Sequence, residues 1–217
     1  MLVAPEGGWP TARAAAALGV SVPEPAEKSL AVWLHLLVAW NARVDLTAAR
    51  SVGELVDLMT ADALVLSTRI PRAARVVDVG TGAGAPGLAL AILRPDLTVT
   101  LVEPLSKRSA FLRTVLGSLA LPHVSLEPRR GEEVAKSHPN AWDVALARAT
   151  LAPSPWLDLA ADLVTEEGSA WVFLAKEPSP TGHPFSPAPS EEVAYEWPLT
   201  HKDRRLARYT RGDRPGG

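Results

Sequence analysis

The run Val76-Val-Asp-Val-Gly-Thr-Gly-Ala-Gly-Ala-Pro-Gly87 constrains this chain more than any other stretch. A β-branched strand carrying one carboxylate ends in a loop with glycine at 80, 82, 84 and 87, and the apolar residues after it read as a helix. Such glycines let the backbone pass close to a ligand with no Cβ in the way, and the amides that open the helix favour electron-rich groups. Pro86 suits the first helical turn, where its missing donor costs nothing. Two ligand classes fit the spacing. Gly80, Gly82 and Gly84 form GxGxG, the spacing of an S-adenosylmethionine loop, whereas Gly82, Gly84 and Gly87 form GxGxxG, the spacing of a dinucleotide loop.

Downstream of this loop, strand-like and helix-like segments alternate. Strands are expected at residues 75–79, 98–103, 124–126, 143–147 and 169–174, with helices at 86–93, 105–119, 131–136 and 153–163. That order implies right-handed βαβ units, hence a doubly wound, mostly parallel α/β sheet that binds its ligand at the carboxyl ends of the strands. Residues 178–190 hold five prolines and read as a loop, followed by an antiparallel edge hairpin from strands near 192–197 and 205–210. Upstream, Leu30, Trp33, Leu37 and Trp40 recur at helical spacing and fit a core face better than a platform for bases. Ser51 and Glu54 predict a capping box opening a second helix over 52–68, which Pro71 ends. Residues 1–25 read as a loosely ordered arm around a short helix near Ala14. Residues 1–72 would thus form an arm and helical extension on a ligand-binding domain at 73–217.

Composition removes several reaction classes. With no cysteine there is no thiolate nucleophile, thiolate metal site or disulfide. The five histidines lack metal spacing, so no metal is expected. Residues 1–10 carry no secretory pattern and no apolar run nears the roughly 18 residues of a membrane span, so a cytoplasmic, membrane-free monomer is expected. The net charge is −2, yet residues 201–214 hold six basic against two acidic side chains, a net +4 that leaves −6 on the rest.

Local chemistry then narrows the ligand. Asp78, two residues before the first glycine, is expected to face a methionine ammonium, a position from which a pyrophosphate gains nothing. Glu103 ends the second strand and is placed for the hydroxyls of a ribose, which both cofactor classes contain. Arg130-Gly131-Glu132-Glu133 follows the third strand, where an adenine would be held; the same acids could instead complement a helix dipole. Arg148 ends the fourth strand. It is costly to bury unpaired, so it is expected to meet a ligand carboxylate, a phosphate or an internal acid.

These residues resemble the RsmG (GidB) family of methyltransferases. The resemblance spans residues 36–176 and is carried by Trp40-Asn41 with Asp45-Leu-Thr-Ala48, by the glycine run with its proline, by Lys107-Arg108 with Phe111-Leu112-Arg113, and by Arg148-Ala149. It implies a class I, Rossmann-like fold and transfer of a methyl group from S-adenosyl-L-methionine to N7 of a guanine in small-subunit (16S) ribosomal RNA or the 30S particle. By position the family's cofactor contacts would fall on Gly80, Ala85, Gly131, Glu132 and Arg148, with Glu103 in the ribose place. The loop's own chemistry adds Asp78, Gly82 and Gly84 as cofactor-binding residues, Arg148 is the expected catalytic residue, and the basic Lys107, Arg108, Arg113, Arg130 and Lys176 around the pocket are the candidate RNA contacts. The chain departs from the family at Met59, where a histidine is usual, and at Ala175-Lys176-Glu177, where Leu-Lys-Gly is usual. Methylation of a small molecule or another RNA, and an NAD-dependent oxidoreductase, stand as alternatives.

Overall fold

In the computed structural model, which describes residues 2–175 and 177–211, eight α-helices and one π-helical turn surround a seven-stranded sheet. The helices are α1 (Thr11–Ala17), α2 (Glu24–Asn41), α3 (Val52–Val56), α4 (Asp62–Ser67), α5 (Gly87–Leu93), α6 (Ser106–Leu119), α7 (Gly131–Ser137) and α8 (Pro153–Leu163). The strands are β1 (Arg75–Val79), β2 (Thr98–Val102), β3 (Val124–Glu127), β4 (Trp142–Ala147), β5 (Val164–Leu174), β6 (Glu191–Glu196) and β7 (Asp203–Thr210).

Strand order is β3-β2-β1-β4-β5-β7-β6. β1 to β5 are parallel, and the closing hairpin folds back so that β7 pairs antiparallel with both β5 and β6. The order reverses between β1 and β4, which opens a crevice at their carboxyl ends. Side chains alternate across the pleat. Val76 joins the cluster under α1, α2 and α4–α6, while Val77 and Val79 join the one under α7 and α8. No helix among the described residues is long and apolar enough to cross a membrane.

Four expectations need correction. The N-terminal arm is packed rather than loose: Trp9, Ala14 and Ala15 are buried, and Trp9 Nε1 donates to His35 Nδ1 at 2.9 Å. The helix over 52–68 is broken by a π-helical turn, Asp57–Ala61, which shifts the faces presented by Met59 and Asp62. At its start Ser51 Oγ accepts from the Glu54 amide as expected, but Glu54 Oε2 takes the Arg50 amide rather than that of Ser51. β5 starts five residues early, because Val164 pairs with Trp142 before an irregularity shifts the register to Val144–Ser169; the polar stretch Thr165-Glu-Glu between them hid this in the sequence.

Candidate functional site

The glycine loop sits at the β1/β4 crevice, and its geometry shows why these residues are glycine. A Cβ on Gly80 (φ +71°) would lie 2.3 Å from Thr150 Oγ1, and one on Gly87 would lie 2.6 Å from the Asp78 side chain. Gly87 therefore lets α5 seat directly on β1, and Gly80 lets the loop pass the end of β4. Pro86 falls one residue before the helix, at its N-cap.

Around the loop lies a cleft of about 720 Å³. Gly80, Gly82, Ala85, Glu103, Arg108, Arg130 and Arg148, all singled out in the sequence, line it. Leu46 of the Asp45–Ala48 motif and Met59, the departure from the family, line it as well, and Leu58, Leu105 and Thr150 do so without having been foreseen. Asn41 explains part of this: its Oδ1 accepts from the Leu46 and Thr47 amides at 2.8 and 3.0 Å and so folds residues 46–48 into the cleft wall. Its place beside Trp40 in the motif was the available signal. The α2 face is core, with Trp33 fully buried and its Nε1 donating to Ala83 O at 3.0 Å, inside the glycine loop.

Several site residues stand elsewhere than expected. Asp78 is fully buried beneath the loop, where Oδ2 accepts from the Gly87 amide at 2.7 Å; it does not line the cleft. Burial pushes its carboxyl up to about 6, against the Thr81 hydroxyl and the Gly87 amide, which pull it down. Gly84 packs against Leu88 and Trp33, and Gly131 against Val79 and Leu159, both outside the cleft lining. Glu132 is exposed and lines a separate surface hollow with Lys136 and Asp158. Lys107 and Arg113 are exposed on α6 away from the cleft, and Lys176 lies outside the described residues.

The basic tail is largely consumed by the fold. Lys202 pairs with Glu54 at 2.9 Å, Arg205 donates to the Glu177 carbonyl at 2.7 Å, and Arg211 donates to Asn140 and the Val164 carbonyl. Asp213 and Arg214 lie outside the described residues.

Two carboxylates organise the charge. Glu103 is almost fully buried, with Oε2 accepting from the Gly82 amide and Oε1 from the Leu105 amide, both at 2.9 Å. Arg148 meets an internal acid: Nη1 donates to Asp62 Oδ2 at 2.7 Å and to Leu58 O at 2.6 Å. Asp62 Oδ1 accepts from the Tyr195 hydroxyl and, at 3.3 Å, from Trp197 Nε1. Burial, with the Asp62 carboxylate second, raises the Tyr195 hydroxyl pKa, so it stays protonated as a donor. Tyr195 and Trp197 were missed because their alternation marks only a strand face.

Residues 26–179 match the family described as GidB, rRNA small subunit methyltransferase G. The chain belongs to that family. Ribosomal RNA small subunit methyltransferase G of Anaeromyxobacter dehalogenans is 34% identical, over 89% of this chain and 92% of that protein. Its counterpart from Burkholderia ambifaria is 35% identical, over 75% and 73%. Among solved structures, M. jannaschii TYW2 in complex with AdoMet aligns with a TM-score of 0.51 at 12% identity, over 70% of this chain and 75% of that one. Precorrin-6y C5,15-methyltransferase from Geobacter metallireducens aligns at 0.50 with 14% identity, over 76% and 90%. The structural likenesses establish the class I methyltransferase fold, and the GidB match identifies the chain as a methyltransferase.

Proposed function

We propose that this GidB-family chain transfers the methyl group of S-adenosylmethionine to N7 of a guanine in small-subunit ribosomal RNA. The observation that carries the reading is the state of the acids and bases in the loop cleft. Glu103 is the one carboxylate lining it among the described residues, both its oxygens already accept loop amides, and no histidine, lysine or tyrosine joins it. A cleft without a free base suits an acceptor that brings its own lone pair and loses no proton, as guanine N7 does. Alignment then supplies the rate.

The residues present fit the cofactor. Glu103 retains acceptor capacity for ribose hydroxyls beyond its two amide bonds, and Arg148, paired but still partly exposed, can meet a carboxylate. A dinucleotide fits less well, because the Gly82 amide that would cradle a pyrophosphate is held by Glu103, whose charge would repel it. Adenosylmethionine, when bound, supplies a methyl group on a sulfonium; N7 forms the new bond to carbon and the C–S electron pair stays on sulfur. Arg148 orients the reacting partners, Arg108 and Arg130 screen phosphates at the rim, and residues 1–72 act as an extension that shapes the cleft through Asn41 and Trp33.

The test is transfer from labelled adenosylmethionine to small-subunit particles, and to naked ribosomal RNA, from a strain lacking the gene, with the site read by chain cleavage specific for N7-methylguanine. One labelled guanine is expected. Turnover of small amine or phenol acceptors with no response to RNA would overturn the substrate assignment, and thermal stabilisation by NAD but not by adenosylhomocysteine would overturn the cofactor.

A further inference from the structure

Arg148 is held through one nitrogen. Its Nη1 donates to Asp62 Oδ2 at 2.7 Å and to Leu58 O at 2.6 Å, whereas Nε and Nη2 make no hydrogen bond to the described residues and stay available to a ligand. Arg148 also stands in the wall between the loop cleft and a second cleft of about 330 Å³, since it lines both. A guanidinium anchored at one corner is aimed by whatever fixes its anchor. That anchor, Asp62, is nearly buried and opens α4 directly after the π-helical turn, the same turn that supplies Leu58.

The other oxygen of Asp62 is held from a distant part of the chain. The Tyr195 hydroxyl and Trp197 Nε1 both donate to Oδ1, the indole at 3.3 Å. Residues two apart along an extended chain share a face, so the spacing of Tyr195 and Trp197, at and just past the end of β6, brings both donors to one point. The Trp197 ring is itself held in place: it is buried, and the Arg204 guanidinium lies over it, 3.9 Å from its centroid. Tyr195 and Trp197 line the second cleft and not the loop cleft. In the sheet, β6 lies three places from β4, roughly 14 Å at the usual strand spacing. Their route to the glycine loop therefore runs through Asp62.

We infer that Tyr195 and Trp197 are positioning residues for methyl transfer: by fixing Oδ1 of Asp62 they set the direction of Oδ2, and with it the direction in which Arg148 presents Nε and Nη2 to the loop cleft. The inference rests on the role of Arg148 in the methyl-transfer reading above. A carboxylate bonded at one oxygen turns readily about its last side-chain torsion, which has a broad minimum; bonded at both, it turns only by breaking a hydrogen bond. Error in aim is costly, because a displacement of about 1 Å near the reacting atoms can lower a rate about 100-fold. The cluster is also lopsided. Three protein donors converge on the acid, whereas the arginine is engaged at one of its three nitrogens. That arrangement suits a cation facing a ligand and not a closed structural pair.

Tyr195→Phe removes one hydroxyl and keeps the ring, and Trp197→Phe removes the second donor to the same oxygen. Each is made in the wild-type protein and in an Arg148→Ala background. The measurement is kcat on small-subunit particles lacking the methyl group, counted per adenosylhomocysteine-binding site so that unfolded protein does not enter the rate. With Arg148 present, each substitution is expected to lower kcat about tenfold or more. In the Arg148→Ala background the same substitutions are expected to change kcat by less than about twofold, because the residue through which they act is gone. A contribution to the fold alone would lower kcat by the same factor in both backgrounds. Unchanged kcat in both variants, or equal losses with and without Arg148, would overturn the positioning role while the methyl-transfer reading stood. A wild type that binds adenosylhomocysteine but methylates no RNA, or an Arg148→Ala protein with full kcat, would overturn the reading on which the inference rests.

Discussion

Arg148 and Asp78 are both charged groups at strand ends, yet their surroundings give them opposite parts. Arg148 is 17% exposed in its side chain, paired to an Asp62 that is 4% exposed. Replacing it by alanine leaves Asp62 with the Tyr195 and Trp197 donors, so the stability loss should stay below the roughly 3–5 kcal/mol of a fully orphaned buried ion. Arg148→Ala is expected to keep its circular dichroism spectrum while methyl transfer drops by about 100-fold or more; full activity would remove Arg148 from the mechanism. Asp78 acts on the fold. Its carboxyl is raised from an ordinary 3.8 to about 6, mainly by burial, with Glu103 also raising it and Thr81, the Gly87 amide and Arg148 opposing. A raised folded-state value means that the folded protein binds the proton more tightly than the unfolded chain does, so this group's contribution worsens as pH rises from 3.8 to 6 and stays unfavourable above. Asp78→Asn, whose amide oxygen can still accept from Gly87, should therefore stabilise the protein at pH 7, on the order of 1–3 kcal/mol, and give no gain near pH 4. Urea unfolding at both pH values measures this, and an equal effect at both would show that Asp78 does not titrate as described.

Among the elements, the π-helical turn and the β6–β7 connection depend on each other. Asp57, fully buried in that turn, accepts from the Leu199 amide at 3.1 Å and from the Thr200 hydroxyl at 2.7 Å. This clamp holds the connection that follows Trp197, and the next residues of the turn place Leu58 and Met59 in the loop cleft. Asp57→Ala would remove a buried acceptor and leave the part-buried Leu199 amide and Thr200 hydroxyl without it, at a cost of about 1 kcal/mol. It should also reduce methyl transfer more than adenosylhomocysteine affinity, because the connection follows Trp197, a donor to Asp62. Calorimetric titration alongside activity separates the two, and parallel losses would mean that the clamp serves the cofactor side instead.

At the scale of the whole molecule, the N-terminal helices are joined to the site by the bond from Trp33 to Ala83 in the glycine loop. The same cluster holds Trp9, Ala14 from α1, and Leu101 and Leu146 from the sheet, so the extension and the sheet share one core. Trp33→Phe keeps most of the buried surface and deletes the hydrogen bond, leaving the Ala83 carbonyl without its indole donor. We expect a stability loss of about 1 kcal/mol and weaker adenosylhomocysteine binding. Thermal melts with and without adenosylhomocysteine check both, and unaltered affinity would show that the sheet alone shapes the loop.

Taken alone, the amino-acid order determined the strand–glycine loop–helix junction, the alternation that makes a parallel sheet, the core faces of α2 and the family. These rest on the two- and 3.6-residue periods and on motif spacing, whereas the collisions that make Gly80 and Gly87 glycine, with Thr150 and with Asp78, are themselves tertiary. Tertiary structure decided which way the acids and bases face. Nothing near Asp78 in sequence says that it turns under the loop to the Gly87 amide, and nothing near Glu103 says that Gly82 and Leu105 claim it. The Arg148–Asp62–Tyr195–Trp197 cluster joins residues as far as 135 positions apart, across a π-helical turn invisible to apolar spacing. Local sterics can be read from neighbouring residues. The partner of a buried charge depends on which distant donors the packed sheet and helices bring to it.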